Sequence, residues 1–70
     1  MNYIAFMQNE IPAFMQQSNE ASRLYGFGTD AYWLWAVGSM SSTCKRYADD
    51  KLVVSLFGAV FEWLEWQADL

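Results

Sequence analysis

The sequence contains no histidine, one cysteine, one proline and four basic residues among 70. Without histidine the chain lacks the usual general base near neutral pH and a common nitrogen ligand for metals. A single thiol, Cys44, excludes thiolate zinc sites and an internal disulfide, so packing must supply the stability, as in a reducing compartment. Met1-Asn2-Tyr3 has no positively charged lead-in of the secretory type, and the compartment expected is the cytoplasm. No apolar run reaches the ~18–20 residues that span a bilayer. Ser55, Gly58, Glu62 and Glu65 interrupt the best candidate. The few glycines build no phosphate loop, because Gly26 and Gly28 lack the further glycine spacing and a Lys-Ser/Thr pair. Asp49-Asp50 has no further oxygen ligands clustered with it in sequence, so neither a metal nor any other cofactor is expected. A chain this short leaves little room for a substrate pocket, and no enzyme activity is expected.

The shortage of cations bears on partners. Eight acidic residues against four basic ones leave a net charge of −4. That balance disfavours direct binding of nucleic acid, whose phosphates require cationic neutralisation, and attraction to anionic membranes. It suits a basic protein partner, while solubility alone is served by the same charge.

What the chain has in quantity is aromatic surface: four Trp, five Phe and four Tyr. Each large ring can bury ~150–250 Å², enough in sum for one dense core in a single small helical domain, residues 1–70. The richest stretch is the last, from Lys51 to Asp69. Lys51, Ser55, Gly58, Glu62, Glu65 and Asp69 recur at spacings of three and four and form one polar stripe roughly 80° wide. Almost everything between Leu52 and Trp66 outside that stripe is apolar, so this helix is expected at the centre of the fold, wrapped by the rest.

The preceding chain divides at its punctuation. Tyr3–Gln8 is expected as a short helix capped by Asn2. Pro12 then predicts a break or kink near Asn9–Ile11, with a second helix from about Pro12 to Tyr25; a single long kinked helix is the alternative. Gly26 suits a left-handed helix end, Phe27 is expected to plug the core, and Thr29 or Asp30 caps a third helix over 30–48. In that helix Trp33, Val37, Met40, Cys44 and Tyr47 form a seam toward the final helix. Either Asp49 or Asp50 caps the last one. The fold class expected is thus all-α, a bundle of three to four helices with Trp33, Val37, Met40, Val53, Phe57, Val60 and Leu64 in its core. Strands over 31–37 and 52–57 are the weaker reading, since 52–57 does not alternate.

Five residues are candidate partner contacts. Glu62, Glu65 and Asp69, followed by the Leu70 carboxylate, sit at a helix C-terminus, where the dipole disfavours acids by ~0.3–1 kcal/mol each. They are also like-charged neighbours along one face. Local stability would place Lys or Arg there, so a surface for a basic partner is one reading and a solvated face the other. Trp66 borders the stripe. Trp35 points away from the Trp33–Tyr47 seam, either as an exposed anchor or as a ring covered by the N-terminal helices. Cys44 reads as a small buried residue or as a thiol activated by Lys45 and Arg46.

A short, acidic, histidine-free, aromatic-rich chain with the Glu62–Glu65–Asp69 stripe resembles the phage-encoded inhibitors of bacterial defence, of which the anti-CRISPR proteins are the best known. The resemblance implies a stoichiometric inhibitor, acting in the host cytoplasm. It would occupy a basic nucleic-acid-binding surface, such as that of a CRISPR–Cas effector subunit, by DNA mimicry. It implies neither direct nucleic-acid nor membrane binding, and a monomer or homodimer. Two other readings stay open: a subunit that self-associates through excess apolar surface, and a membrane-associated peptide suggested by Leu52–Trp66.

Overall fold

Asn2 opens the first helix, its side-chain Oδ1 accepting the Ala5 N–H at 3.0 Å. In the computed structural model, which describes Met1–Asp69, the expected interruption ahead of Pro12 does not occur. Helix α1 (Tyr3–Ala5) runs into a π-helical turn over Phe6–Glu10 and on into α2 (Ile11–Tyr25). Proline lacks a donor N–H, and its ring would meet the carbonyl four residues back, that of Gln8. A widened turn just before Pro12 shifts the register of those carbonyls, so the chain stays helical from Tyr3 to Tyr25, as in the single-helix alternative rather than in two separate helices. It also turns Phe6 inward, 1% exposed.

Gly26 ends α2 at φ +87°, a conformation that favours glycine. Thr29 then caps α3 (Asp30–Arg46), accepting from the Tyr32 N–H. Phe27, in the turn, packs edge-on against Tyr32 at 5.0 Å yet keeps one face in solvent, a partial plug. A turn through Ala48 and Asp49, both at φ +54°, leads to Asp50, which caps α4 (Lys51–Gln67) by accepting from the N–H groups of Leu52 and Val53. All described regular structure is helical. The molecule measures 34 × 20 × 17 Å, with α2, α3 and α4 running alternately up and down its long axis.

Phe6, Phe14, Met40, Val53, Phe57 and Leu64 form the main core, and Ala21, Tyr32 and Ala36 a second cluster between α2 and α3. Of the expected core, Met40, Val53, Phe57 and Leu64 are buried, and Trp33 and Val60 are half-buried against them. Val37 is not: it is 53% exposed. The buried stripe of α3 is Tyr32, Ala36, Met40 and Thr43, rotated about 60° from the predicted seam. The reason is that α3 packs backbone to backbone on both α2 and α4, whereas α2 and α4 meet only through side chains. Ala36 of α3 and Ala21 of α2, both small and buried, lie in the cluster between those two helices. The picture of α4 as a wrapped post changes accordingly. Its inner face carries Val53, Phe57 and Leu64, while Leu52, Val54, Trp63 and Trp66 face outward.

Candidate partner-binding surface

Alternating helix directions bring the start of α3 beside the end of α4. A β-carbon on Gly28 would lie 3.4 Å from that of Ala68, which places the α2–α3 turn against the last turn of α4. Trp33 reinforces the junction, donating its indole N–H to the Gly28 carbonyl at 3.1 Å and packing on Phe61 at 5.3 Å. Asp30 therefore joins Glu62, Glu65 and Asp69 at one end of the molecule. Glu62 and Asp69 are exposed and Glu65 is half-buried. The Leu70 carboxylate lies outside the described residues. Among the described residues none of these four carboxylates has an ion-pair partner; the ion pair at this end is Arg23 with Glu20, one turn apart on α2.

The opposite end uses its charges differently. Arg46 holds Glu10 through two hydrogen bonds, of 3.3 and 2.7 Å, tying α3 to the start of α2. The Tyr3 hydroxyl donates to Asp50 Oδ2 at 2.9 Å, linking residues 47 apart in sequence. That bond, with the Leu52 and Val53 N–H groups, holds the Asp50 carboxyl below its ordinary range, and the same bond pushes the Tyr3 phenol up. At this end Glu10, Asp49 and Asp50 balance Lys45, Arg46 and Lys51. Glu20, Asp30, Glu62, Glu65 and Asp69 face only Arg23 at the other. The net charge of −4 thus resides wholly at the α4 C-terminal end.

Trp66 belongs to that end and is 67% exposed. Trp35 does not. Its ring stacks on Phe14 at 5.3 Å and tilts against Tyr32 at 5.6 Å, so α2 covers it in part. It lines a shallow hollow with Gln17, Ala21 and Leu24, away from α4. Trp35 is a packing residue between α2 and α3, a ring covered by the N-terminal helices rather than an exposed anchor; the second Trp exposed near the acidic end is Trp63. That ring is 47% exposed, next to Trp66, and helps line a cleft between α2 and α4. Sequence reasoning passed over Trp63 because a helix apolar on most sides gives no sign of which apolar residue stays outside. Cys44 is half-buried, and burial, then the Asp49 carboxylate, pushes its thiol up, opposite to the shift that activates a nucleophile.

Among the described residues no helix is long and apolar enough to cross a membrane, and no group of three or more candidate ligands is placed to hold a metal ion. Comparison with protein-family models, with curated proteins and with solved structures returns no match.

Proposed function

We propose that the chain is a non-enzymatic binding module that lays its acidic end on a basic surface of a protein partner, one that otherwise binds nucleic acid. One observation carries this reading: the whole net charge is concentrated at the end that also presents Trp63 and Trp66 to solvent. Acids at a helix C-terminus are locally unfavourable by ~0.3–1 kcal/mol each, and among the described residues none of these has an ion-pair partner, Arg23 at this end being paired with Glu20. Exposed Trp beside them supplies the contact surface typical of interface anchors. The two ends lie up to 34 Å apart, several times the ~8 Å screening length at physiological salt, so the balanced end does not mask the acidic one. An inhibitor of the anti-CRISPR kind, cytoplasmic and displacing DNA from an effector by charge mimicry, fits this surface.

The test is paired. Replacing Glu62, Glu65 and Asp69 together by Lys removes three unfavourable dipole contacts, so the melting temperature at low salt holds or rises. In competition with duplex DNA for a DNA-binding Cas effector, the parent displaces DNA, less well as salt rises, and the triple variant does not. Equal competition by both proteins means that the acids are only a solvated face.

A second observation favours self-association. Leu34 is 77% exposed and shares a hollow with Val37, which also lines a groove between α3 and α4, about 340 Å³ in volume, with Cys44, Phe57, Gly58 and Phe61. A β-carbon added at Gly58, on its rim, would meet nothing within 4 Å. Sedimentation equilibrium separates the readings: a dimer that dissociates on Val37→Glu supports a homodimer through this groove, and a monomer at all concentrations excludes it.

A further inference from the structure

The surface around Trp63 has more chemistry than a charged patch. Around α4, at ~100° per residue, Glu62, Trp66, Trp63 and Gln67 follow one another from the acidic stripe into the cleft between α2 and α4. The cleft has a volume of about 380 Å³. Apolar walls come from Met15, Phe27, Trp63 and Leu64, and polar ones from Asn19, Ser22 and Gln67. It opens because α2 and α4 touch only through side chains, at Phe14 and Phe57 for example, 5.5 Å apart.

Two features select the occupant. The Ser22 hydroxyl proton is already given to the Ser18 carbonyl at 2.8 Å, so its oxygen can only accept. Asn19 and Gln67 each bring a carbonyl acceptor, beside an amide donor, to the same walls. The carboxylates stand outside the cleft, on the stripe that adjoins Trp66, and none lines its walls. A purely apolar occupant would strip water from the polar groups without replacing it. An acidic one would meet repulsion on the way in. A lysine ammonium is compact and strongly hydrated, and suits the carboxylates outside. An arginine has an apolar stem, a weakly hydrated planar head that stacks on aromatic rings, and donors only.

We propose that the cleft between α2 and α4 receives an arginine side chain of the partner, stem and guanidinium lying on the Trp63 and Phe27 rings and donating to Asn19, Ser22 and Gln67. This rests on the acidic-end reading above and specifies it: the stripe draws in any basic surface, and the cleft selects arginine within it.

The probes are blocked, glycine-spaced peptides of arginine, of lysine and of citrulline, titrated into the isotopically labelled protein at low salt. Amide, indole and side-chain amide signals are followed by NMR. The arginine peptide is expected to move the Trp63 indole N–H and the Asn19 and Gln67 side-chain amides, and to bind about two- to fivefold tighter than the lysine peptide. Citrulline, stacking but uncharged, is expected not to bind. Trp63→Leu should abolish the arginine preference and keep the weaker attraction common to both cationic peptides. Phe27→Leu should reduce the preference in the same sense, a second reading should either variant fold poorly. If both cationic peptides bind equally and move only the Glu62, Glu65 and Asp69 amides, the cleft is overturned and the acidic end stands. Citrulline binding as well as arginine means that charge contributes nothing, and overturns the acidic-end reading together with the arginine site. If no peptide moves any signal, the acidic-end reading falls, and the arginine site with it.

Discussion

The two ends of this molecule are built from the same kinds of residue and put them to different use. At the end where α1 begins and α4 starts, each charged partnership joins parts distant in sequence: Tyr3 to Asp50, Glu10 to Arg46. Its aromatic rings also meet, Phe6 standing edge-on to Tyr47 at 5.2 Å and to Phe57 at 6.2 Å. At the end where α4 finishes, four carboxylates have no partner among the described residues, and two Trp rings face solvent. The second core cluster there is small, Ala21, Tyr32 and Ala36, with one buried polar bond between the Ser18 and Tyr32 hydroxyls at 2.7 Å. Both ends are packed, the second through Phe27, Tyr32, Trp33 and Phe61, but only the first pairs its charges across elements.

The comparison is broken most sharply by truncating one ring at each end. Phe6→Ala should cost ~3–5 kcal/mol through lost transfer energy and a cavity, enough to unfold so small a domain. Trp66→Ala should change stability by no more than ~0.5 kcal/mol, as an exposed substitution does. Thermal melts of the two variants check it, and equal losses would mean that the ends are not distinct.

Tyr32→Phe comes next. It strands the Ser18 hydroxyl in a buried site and should cost ~1–3 kcal/mol. The double change with Ser18→Ala should recover part of that loss, measurable as a coupling in urea unfolding. A neutral Tyr32→Phe would show that the second cluster is held by apolar contact alone.

The third way is through pH, and it addresses the balanced end. Asp50 has its folded pKa lowered, chiefly by the Tyr3 hydroxyl and then by the Leu52 and Val53 N–H groups. Its contribution is therefore present above the unfolded value of about 3.9 and lost as pH falls through the lowered folded one. Tyr3 has its pKa raised by the same bond, so its contribution is present below about pH 10 and lost as pH rises through the raised value. Tyr3→Phe should lower the melting temperature slightly between about pH 4 and 10, where the bond contributes, and so flatten both limbs of its pH profile. A variant that follows the parent throughout would remove this bond from the account.

The smallest effect belongs to the turn between α3 and α4. Ala48 holds φ +54°, where a β-carbon is strained, so Ala48→Gly should stabilise by about 0.5–1 kcal/mol. A loss of stability in denaturant titration would mean that the turn is not strained.

Much of the architecture was legible in residue order because its signals are local. Asn2 caps as expected, Thr29 and Asp50 are the caps among the alternatives offered, Gly26 ends a helix, and the period of the last stretch pointed to the helix found over Lys51–Gln67. The response to Pro12 was not legible. Whether a chain breaks or widens into a π turn depends on what holds the residues before it, here Phe6 against Tyr47 and Phe57.

The candidate surface divides in the same way. That Glu62, Glu65 and Trp66 share one helix face follows from a 100° step and needs no neighbour, whereas Asp69, expected on the same face, lies past the end of α4 at φ +60°. Helical periodicity alone determined that much, along with the all-α class and the charge of −4. Which apolar residues stay outside was decided only by packing. An element apolar on most sides has several equivalent inner faces, and the choice falls to the helices that approach it. Because α3 takes α2 on one side and α4 on the other, Trp35 is turned onto Phe14, Val37 is left in solvent, and Trp63 stands at the mouth of a cleft. The joining of Asp30 to the acidic stripe belongs to tertiary structure too, since it needs the start of α3 to lie beside the end of α4, a proximity no local spacing specifies.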